Sequence, residues 1–255
     1  GSIHRKGMPE RTVNLVLGGG ASVGDALINS KDIDAVSFTG SVPTGRKVAA
    51  ATAPNFVRCK LEMGSKNALG IADDADLQVA IDAAVAGAFG GSGQKCTASS
   101  RLIVMDSIHD AFVDGVVAKM KTLKVGHALD EGIFMGPVVD DKQLASNLDW
   151  IEKAKQSGAN LAFGGERLDM SHDGYYMSPT LFTETDNSWD VNQEEVFAPM
   201  ACVMRVSSLE EAIAMTNDTR FGLTGGIITQ SLRNSAMFKE QVQAGCVMVN
   251  LATAG

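Results

Sequence analysis

Apolar residues along this chain recur at two spacings. Leu77, Ala80, Ile81, Ala84, Val85 and Ala88 repeat at helical intervals, and Ile108, Phe112, Val116 and Met120 share one helical face. Short apolar runs predict strands at Asn14 to Leu17, Ala35 to Phe38, Val57 to Leu61, Ala68 to Ile71 and Leu102 to Met105. Further strands are predicted at Met200 to Val206, Gly226 to Thr229 and Cys246 to Asn250. Helices are predicted at Val23 to Asn29 and at Pro43 to Ala51, the latter opened by its proline. Gln143 to Gln156 is a helix closed by Gly158, and Leu209 to Met215 and Leu232 to Val242 are two more. Strands and helices alternating in this way predict an α/β fold with mostly parallel sheets.

Two stretches lack either period. Gly126 to Asp140 contains glycine and acidic residues, and Glu166 to Ser178 reads as an exposed hairpin or lid. The chain begins without a first β-α unit and stops directly on a strand, so both ends read as cut.

Composition narrows the function classes. With 255 residues, 45% of them hydrophobic, the chain is long enough for a substantial core. A net charge of −8 disfavours a nucleic-acid partner, which needs clustered lysine and arginine. No apolar run is long enough to span a bilayer. Cys59, Cys96, Cys202 and Cys246 are widely spaced, which predicts free thiols and a reducing, cytoplasmic setting. The four histidines fall in no metal-ligand spacing, so no metal is expected.

Candidate chemistry concentrates at glycine-rich turns. The run Leu17 to Gly24 has the spacing G-x-G-x-x-x-G, which departs from a dinucleotide fingerprint and reads as a tight turn. In Ser37 to Gly45, Gly40 permits close backbone approach and Ser41 sits at a helix start. Such a start suits a pyrophosphate, and a simple helix cap accounts for Ser41 equally well. Cys96 follows Gly90-Gly91-Ser92-Gly93 between a helix and a strand, where a thiol can be approached. The plainer alternative is a small core residue, the role assigned to the other three cysteines. Glu62 ends an apolar strand, as a general base or as a solvated partner of Lys60 or Lys66. Glu194-Glu195-Val196-Phe197 offers a carboxylate for ribose hydroxyls and an aromatic for a ring, or else a solvated acidic pair beside a core phenylalanine.

Five runs in order resemble the NAD(P)-dependent aldehyde dehydrogenase superfamily across essentially the whole chain. They are Phe38-Thr39-Gly40-Ser41, Leu61-Glu62-Met63-Gly64, Gly93-Gln94-Lys95-Cys96, Glu195-Val196-Phe197-Ala198-Pro199 and Asn217-Asp218-Thr219-Arg220-Phe221-Gly222-Leu223. Gln94 to Arg101 and Val249 to Gly255 look closest to the α-ketoglutaric semialdehyde (2,5-dioxovalerate) dehydrogenase branch. The resemblance implies residues 1–63 as the C-terminal part of a Rossmann-type NAD(P)-binding domain and 64–255 as an α/β catalytic domain.

It also implies Cys96 as the nucleophile and Glu62 as the base that activates water. Gly40, Ser41, Gly45, Met63, Gly64, Glu195 and Phe197 would line the NAD or NADP site. The implied substrate is a small-molecule aldehyde, and the parent protein is implied to be a homo-oligomer. The chain departs from the family at Ser65 and Ala198, where glycine is usual, and at Ala68, where proline is usual. The departures bear on the conformation of the cofactor loop. The family's oxyanion asparagine would lie upstream and its closing oligomerisation strand downstream, so these residues alone are expected to be nearly inactive. Two other readings are a coenzyme A-acylating semialdehyde dehydrogenase, against which Glu62 argues, and a non-catalytic structural protein on the same fold, against which Cys96 and Glu62 together argue.

Overall fold

The computed structural model describes Pro9 and residues 11–254. His4 and Gly255, the last residue of the run from Val249, lie outside that range. The chain forms two compact units that divide between Met63 and Gly64.

The first unit holds a parallel strand pair, β1 (Ala35–Gly40) and β2 (Arg58–Met63), linked by a helix and registered so that Gly40 faces Met63. A wide helical turn at Gly20–Gly24 runs into the short helix α1 (Asp25–Ile28), which together replace the helix predicted from Val23. Helix α2 (Val42–Thr52) begins where Ser41 turns extended and its hydroxyl accepts the Thr44 N–H. The strand predicted at Asn14 to Leu17 does not form. Strands exist by pairing, and this segment pairs with nothing among the described residues. Leu15, Val16 and Leu17 are accordingly exposed.

The second unit is an αβα sandwich. It opens with β3 (Asn67–Ile71), α3 (Leu77–Phe89), β4 (Ser99–Met105), α4 (His109–Met120) and α5 (Asp141–Gln156). Two short strands follow, β5 (Asn160–Phe163) and β6 (Thr180–Thr183), then α6 (Asp190–Gln193) and β7 (Met200–Val206). The unit closes with α7 (Leu209–Asn217), β8 (Thr224–Ile228), α8 (Leu232–Gln241) and β9 (Cys246–Val249). Its seven-stranded sheet has the order β5-β6-β7-β4-β3-β8-β9, parallel except for the β5-β6 pair. β5 and β6 have no counterpart in the sequence reading, because four-residue apolar runs show no alternation to separate them from loop.

Caps define the helix starts. Asp76 accepts from Gln78 and Val79, Asp140 from Gln143, Ser208 from Glu211 and Ser231 from Asn234. The small residues of α3 let it lie close to the sheet. Ala80, Ala84, Ala88 and Phe89 pack with Leu69, Leu102, Val104 and Val203 beneath Phe112, Val116 and Met120 of α4. Ile103 and Met204 face the opposite layer with Ala212 of α7.

One expectation about surfaces is corrected and another is refined. Of the three cysteines read as core, Cys202 is buried, but Cys59 is half-buried and Cys246 is exposed, since β9 is the sheet's edge strand. The loop from Glu166 is a hairpin exposed over most of its length, at Glu166, Arg167, Asp169 and from Ser171 to Tyr175. Its return limb, Tyr176 to Ser178, is buried and bonds back at Leu168 and Glu166. Among the described residues no helix is long and apolar enough to cross a membrane.

Leu102 is fully buried in the central strand β4. Leu102→Ala is expected to lower unfolding stability by about 2–5 kcal/mol, through lost burial and a residual cavity. The midpoint of urea unfolding measures this, and a shift indistinguishable from zero would contradict the placement of β4.

Candidate active site

In the first unit the predicted cofactor residues gather at the carboxyl ends of β1 and β2. Gly40 ends β1, Ser41 caps α2, and a Cβ placed on buried Gly45 would overlap the Met63 sulfur. The helix start is exposed, with the Ser41 and Thr44 hydroxyls 3.0 Å apart. Carboxyl strand ends with a helix N-terminus beside them form the crevice in which open α/β sheets bind nucleotides. Glu62 is on β2, exposed, with Lys60 Nζ 3.3 Å from its Oε1. That surface pair contributes little stability.

In the second unit the predicted residues collect at the opposite, amino-terminal edge of the sheet. Cys96 lies three residues before β4, and Glu195 to Pro199 runs directly into β7. The bend before Cys96 consists of three successive left-handed residues, Gly91 (φ 63°), Ser92 (φ 59°) and Gly93 (φ 65°). Ser92 pays no side chain to solvent. It is buried, and its hydroxyl donates to the Gly136 carbonyl at 2.8 Å. A Cβ on Gly93 would run into the Ala198 carbonyl and the Pro199 nitrogen, so backbone meets backbone there. Cys96 itself is half-buried.

The segment facing the bend is also left-handed, at Phe197 (φ 58°). Gln143 of α5 donates to the Val196 and Phe197 carbonyls at 3.2 and 3.4 Å. Phe197 is 38% exposed between buried Val196 and Ala198, so it is not the core phenylalanine of the plainer reading. Nor are Glu194 and Glu195 a solvated pair. Glu194 is bound by Arg220. Glu195 is half-buried and accepts the Ser65 N–H at 3.1 Å, and a Cβ on Gly64 would occupy the place of its carboxylate. Burial raises the Glu195 pKa, opposed by the Ser65 N–H and by the positive charge of Lys66.

The departures from the family pattern are accommodated. Ser65 supplies its backbone N–H, which any residue but proline could do. The left-handed requirement falls on Phe197 and not on Ala198. Ala68 sits in the β3 ladder opposite Arg101 and Gly225, where an amide donor is useful.

Several residues of the site have roles that the sequence reading did not assign, and Lys66, offered there as a solvated partner of Glu62, is buried instead. Lys66 is 2% exposed and shares one pocket with Ser65, Gly93, Glu195 and Phe197. Burial first, and then the nearby Arg101, lower its pKa to about 8, while Cys202, Glu195 and Glu194 oppose the shift. Burial pushes the Cys202 thiol up to about 11. Arg101 is 1% exposed and donates to the carbonyls of Lys66, Met215 and Thr216 and to Asn187 Oδ1. Its pKa falls to about 10 through burial, with Asp218 opposing. Asn67, 2% exposed, donates to the Cys96 and Ala98 carbonyls. Polar residues inside an apolar strand signal carry no mark of their partners, so sequence alone shows none of this. All four cysteines are free, and among the described residues no group of three or more histidine, cysteine or acidic side chains is placed to hold a metal.

Comparison with known proteins adds four findings. The profile of the aldehyde dehydrogenase family matches residues 2–255. Among curated proteins, the α-ketoglutaric semialdehyde dehydrogenase of Bacillus subtilis (strain 168) is 39% identical over 98% of this chain and 51% of its own length. The 2,5-dioxopentanoate dehydrogenase of Saccharolobus solfataricus is 37% identical over 99% of this chain and 53% of its own length. Among solved structures, betaine aldehyde dehydrogenase from Staphylococcus aureus in complex with NAD+ superposes with a TM-score of 0.92 at 35% identity, covering 96% of this chain and 49% of that one. The chain thus spans about half the length of the relatives it matches.

Lys66 gives a test of the site's electrostatics. Between about pH 8 and its ordinary value of 10.5, the unfolded chain holds a proton that folded Lys66 has released. Stability owed to this residue therefore rises with pH across that window. From pH 8 to 9, with the Cys202 thiol present in both proteins, wild type is expected to gain on Lys66→Met by up to about 1.4 kcal/mol in urea unfolding. A difference that stays flat or falls with pH would contradict the buried cation.

Proposed function

Because the chain belongs to the aldehyde dehydrogenase family, we propose that the whole protein oxidises an aldehyde to its carboxylic acid, with NAD or NADP as the hydride acceptor. The observation that carries this reading is the bend at Cys96. A half-buried thiol follows three left-handed residues and is locked by backbone contact to the segment bearing Glu195 and Phe197. A rigidly supported thiol is what covalent catalysis requires.

Residues up to Met63 serve as the C-terminal part of the nucleotide domain, and residues from Gly64 onward as the thiol-bearing domain. Each unit by itself offers residues suited to part of a dinucleotide. Gly40, Ser41 and Gly45 offer a small-residue helix start to a pyrophosphate. Glu195, bared by the missing side chain of Gly64, is an acceptor for ribose hydroxyls, and exposed Phe197 is an apolar face for the nicotinamide ring. Met63 packs behind Gly45. When bound, the nicotinamide supplies an acceptor for the hydride of the substrate carbon.

The Cys96 thiolate adds to the aldehyde carbonyl, forming a carbon–sulfur bond and a thiohemiacetal. Loss of hydride leaves a thioester on Cys96. Glu62 takes a proton from water as its oxygen attacks that thioester. The carbon–sulfur bond then breaks, releasing acid and restoring the thiolate. The relatives named for α-ketoglutaric semialdehyde and 2,5-dioxopentanoate support a substrate that carries a carboxylate as well as the aldehyde. Free thiols at four positions suit action in the reducing cytoplasm.

Kinetics of the complete protein, followed by nicotinamide absorbance with a panel of semialdehydes, test the reading. Cys96→Ala is expected to abolish turnover. Glu62→Gln is expected to retain one rapid burst of reduced cofactor per site and to lower steady-state turnover by about 10²–10⁴-fold. Undiminished turnover in Cys96→Ala would overturn the proposal, and acyl-coenzyme A in place of acid would redirect it to the acylating reaction.

A further inference from the structure

Asn67, the first residue of β3, is buried and makes three hydrogen bonds, all to backbone. Its side-chain amide donates to the Cys96 carbonyl and to the Ala98 carbonyl, each at 2.9 Å. Its Oδ1 accepts the Thr224 N–H at 3.1 Å, at the start of β8. The amide orientation follows from these partners, because turning it over would set an oxygen against two carbonyls and a nitrogen against an N–H.

The remaining carbonyls of the Cys96 turn are also engaged. Ala98 donates its N–H to the Lys95 carbonyl at 3.0 Å, and the Thr253 hydroxyl donates to the Thr97 carbonyl at 2.8 Å. Four successive carbonyls, Lys95 to Ala98, thus have donors, and one side chain holds two of them. Thr253 holds the carbonyl on the far side of the thiol-bearing residue, while among the described residues the Cys96 carbonyl itself is held by Asn67. The two residues before it are anchored as well. Ser65 binds Glu195 and Lys66 binds Arg101, both through the backbone.

We infer that Asn67 is a positioning residue for the Cys96 nucleophile, fixing the orientation of its peptide and hence the line along which the thiol meets a carbonyl carbon. The inference rests on the reading of Cys96 as the nucleophile. With its buried side chain bonded to backbone alone, Asn67 acts through the peptide. Neither a leucine nor an alanine at this position could orient two carbonyls. Aspartate would place acceptor oxygens against them, and serine has one donor in place of two.

The test is steady-state kinetics of the complete protein for Asn67→Ala, Asn67→Ser and Cys96→Ala. Alongside, iodoacetamide labelling is resolved cysteine by cysteine by mass spectrometry. Cys202 is buried and Cys246 exposed, so the first reports global unfolding and the second serves as an internal standard. Asn67→Ala is expected to lower kcat by about 10–100-fold, since small misplacement of a reacting group has effects of that order. The aldehyde KM should stay within about threefold and Cys202 should stay unlabelled, with binding left intact. Asn67→Ser should recover part of the loss.

An unchanged kcat in a folded Asn67→Ala protein would overturn the inference. So would a rise in KM that accounts for the whole loss. If Asn67→Ala exposes Cys202, the Asn67→Ser result decides by the same criteria, and if that variant also exposes Cys202 then Asn67 serves the fold and the inference fails. Turnover surviving in Cys96→Ala would instead remove the reading on which the inference rests.

Discussion

The backbone of Gly93 lies against the carbonyl of Ala198, and no side chain fits between them. The geometry of the site depends on that approach. It demands glycine at a left-handed position and turns the chain sharply after α3, which brings Cys96 to the amino end of β4. It also fixes the segment from Glu195 to Pro199 as that segment enters β7. Left-handed backbone at Ser92 and Phe197 would be unfavourable in isolation, by roughly 1–3 kcal/mol at each site. Bonds from Ser92 to Gly136 and from Gln143 to the Phe197 carbonyl hold both in place.

Around this contact the protein buries charge in a compensated set. Lys66 lies within the field of Glu195 and Glu194, Arg101 makes four hydrogen bonds to carbonyls and Asn187, and Glu195 has the Ser65 amide. A buried charge without such partners would be very unfavourable. The two thiols of the unit's interior edge differ for the same reason. Cys202 is enclosed and its thiolate strongly disfavoured, whereas Cys96 sits in a partly open bend. Burial, more than position in a strand, separates an inert cysteine from an approachable one.

Much of the architecture was legible from periodicity. β7 matches its predicted span, α5 starts two residues early at its Asp140 cap, and Gly158 closes that helix in a left-handed conformation (φ 100°). The strand expected at Asn14 to Leu17 failed because apolar character cannot supply a pairing partner. Cys246 was misplaced because a sequence does not say which strand is the edge. The bend at Cys96 was visible as glycines, yet its anchors were not. Asn67 and Arg101 read as stray polar residues beside apolar runs, and their partners lie from 29 to 157 residues away in sequence. Phe197 shows the same limit from the other side, since nothing in an aromatic residue announces a left-handed backbone and an exposed ring.

The central claim is that Cys96 carries the substrate as a thioester. The most direct measurement is peptide mapping of the complete protein as Glu62→Gln, quenched in acid after mixing with a semialdehyde and NAD. The account predicts an acyl mass increment on the peptide bearing Cys96, approaching one per site, and none on the Cys59, Cys202 or Cys246 peptides. Acylation of a different residue, or turnover with every cysteine unmodified throughout, would contradict it.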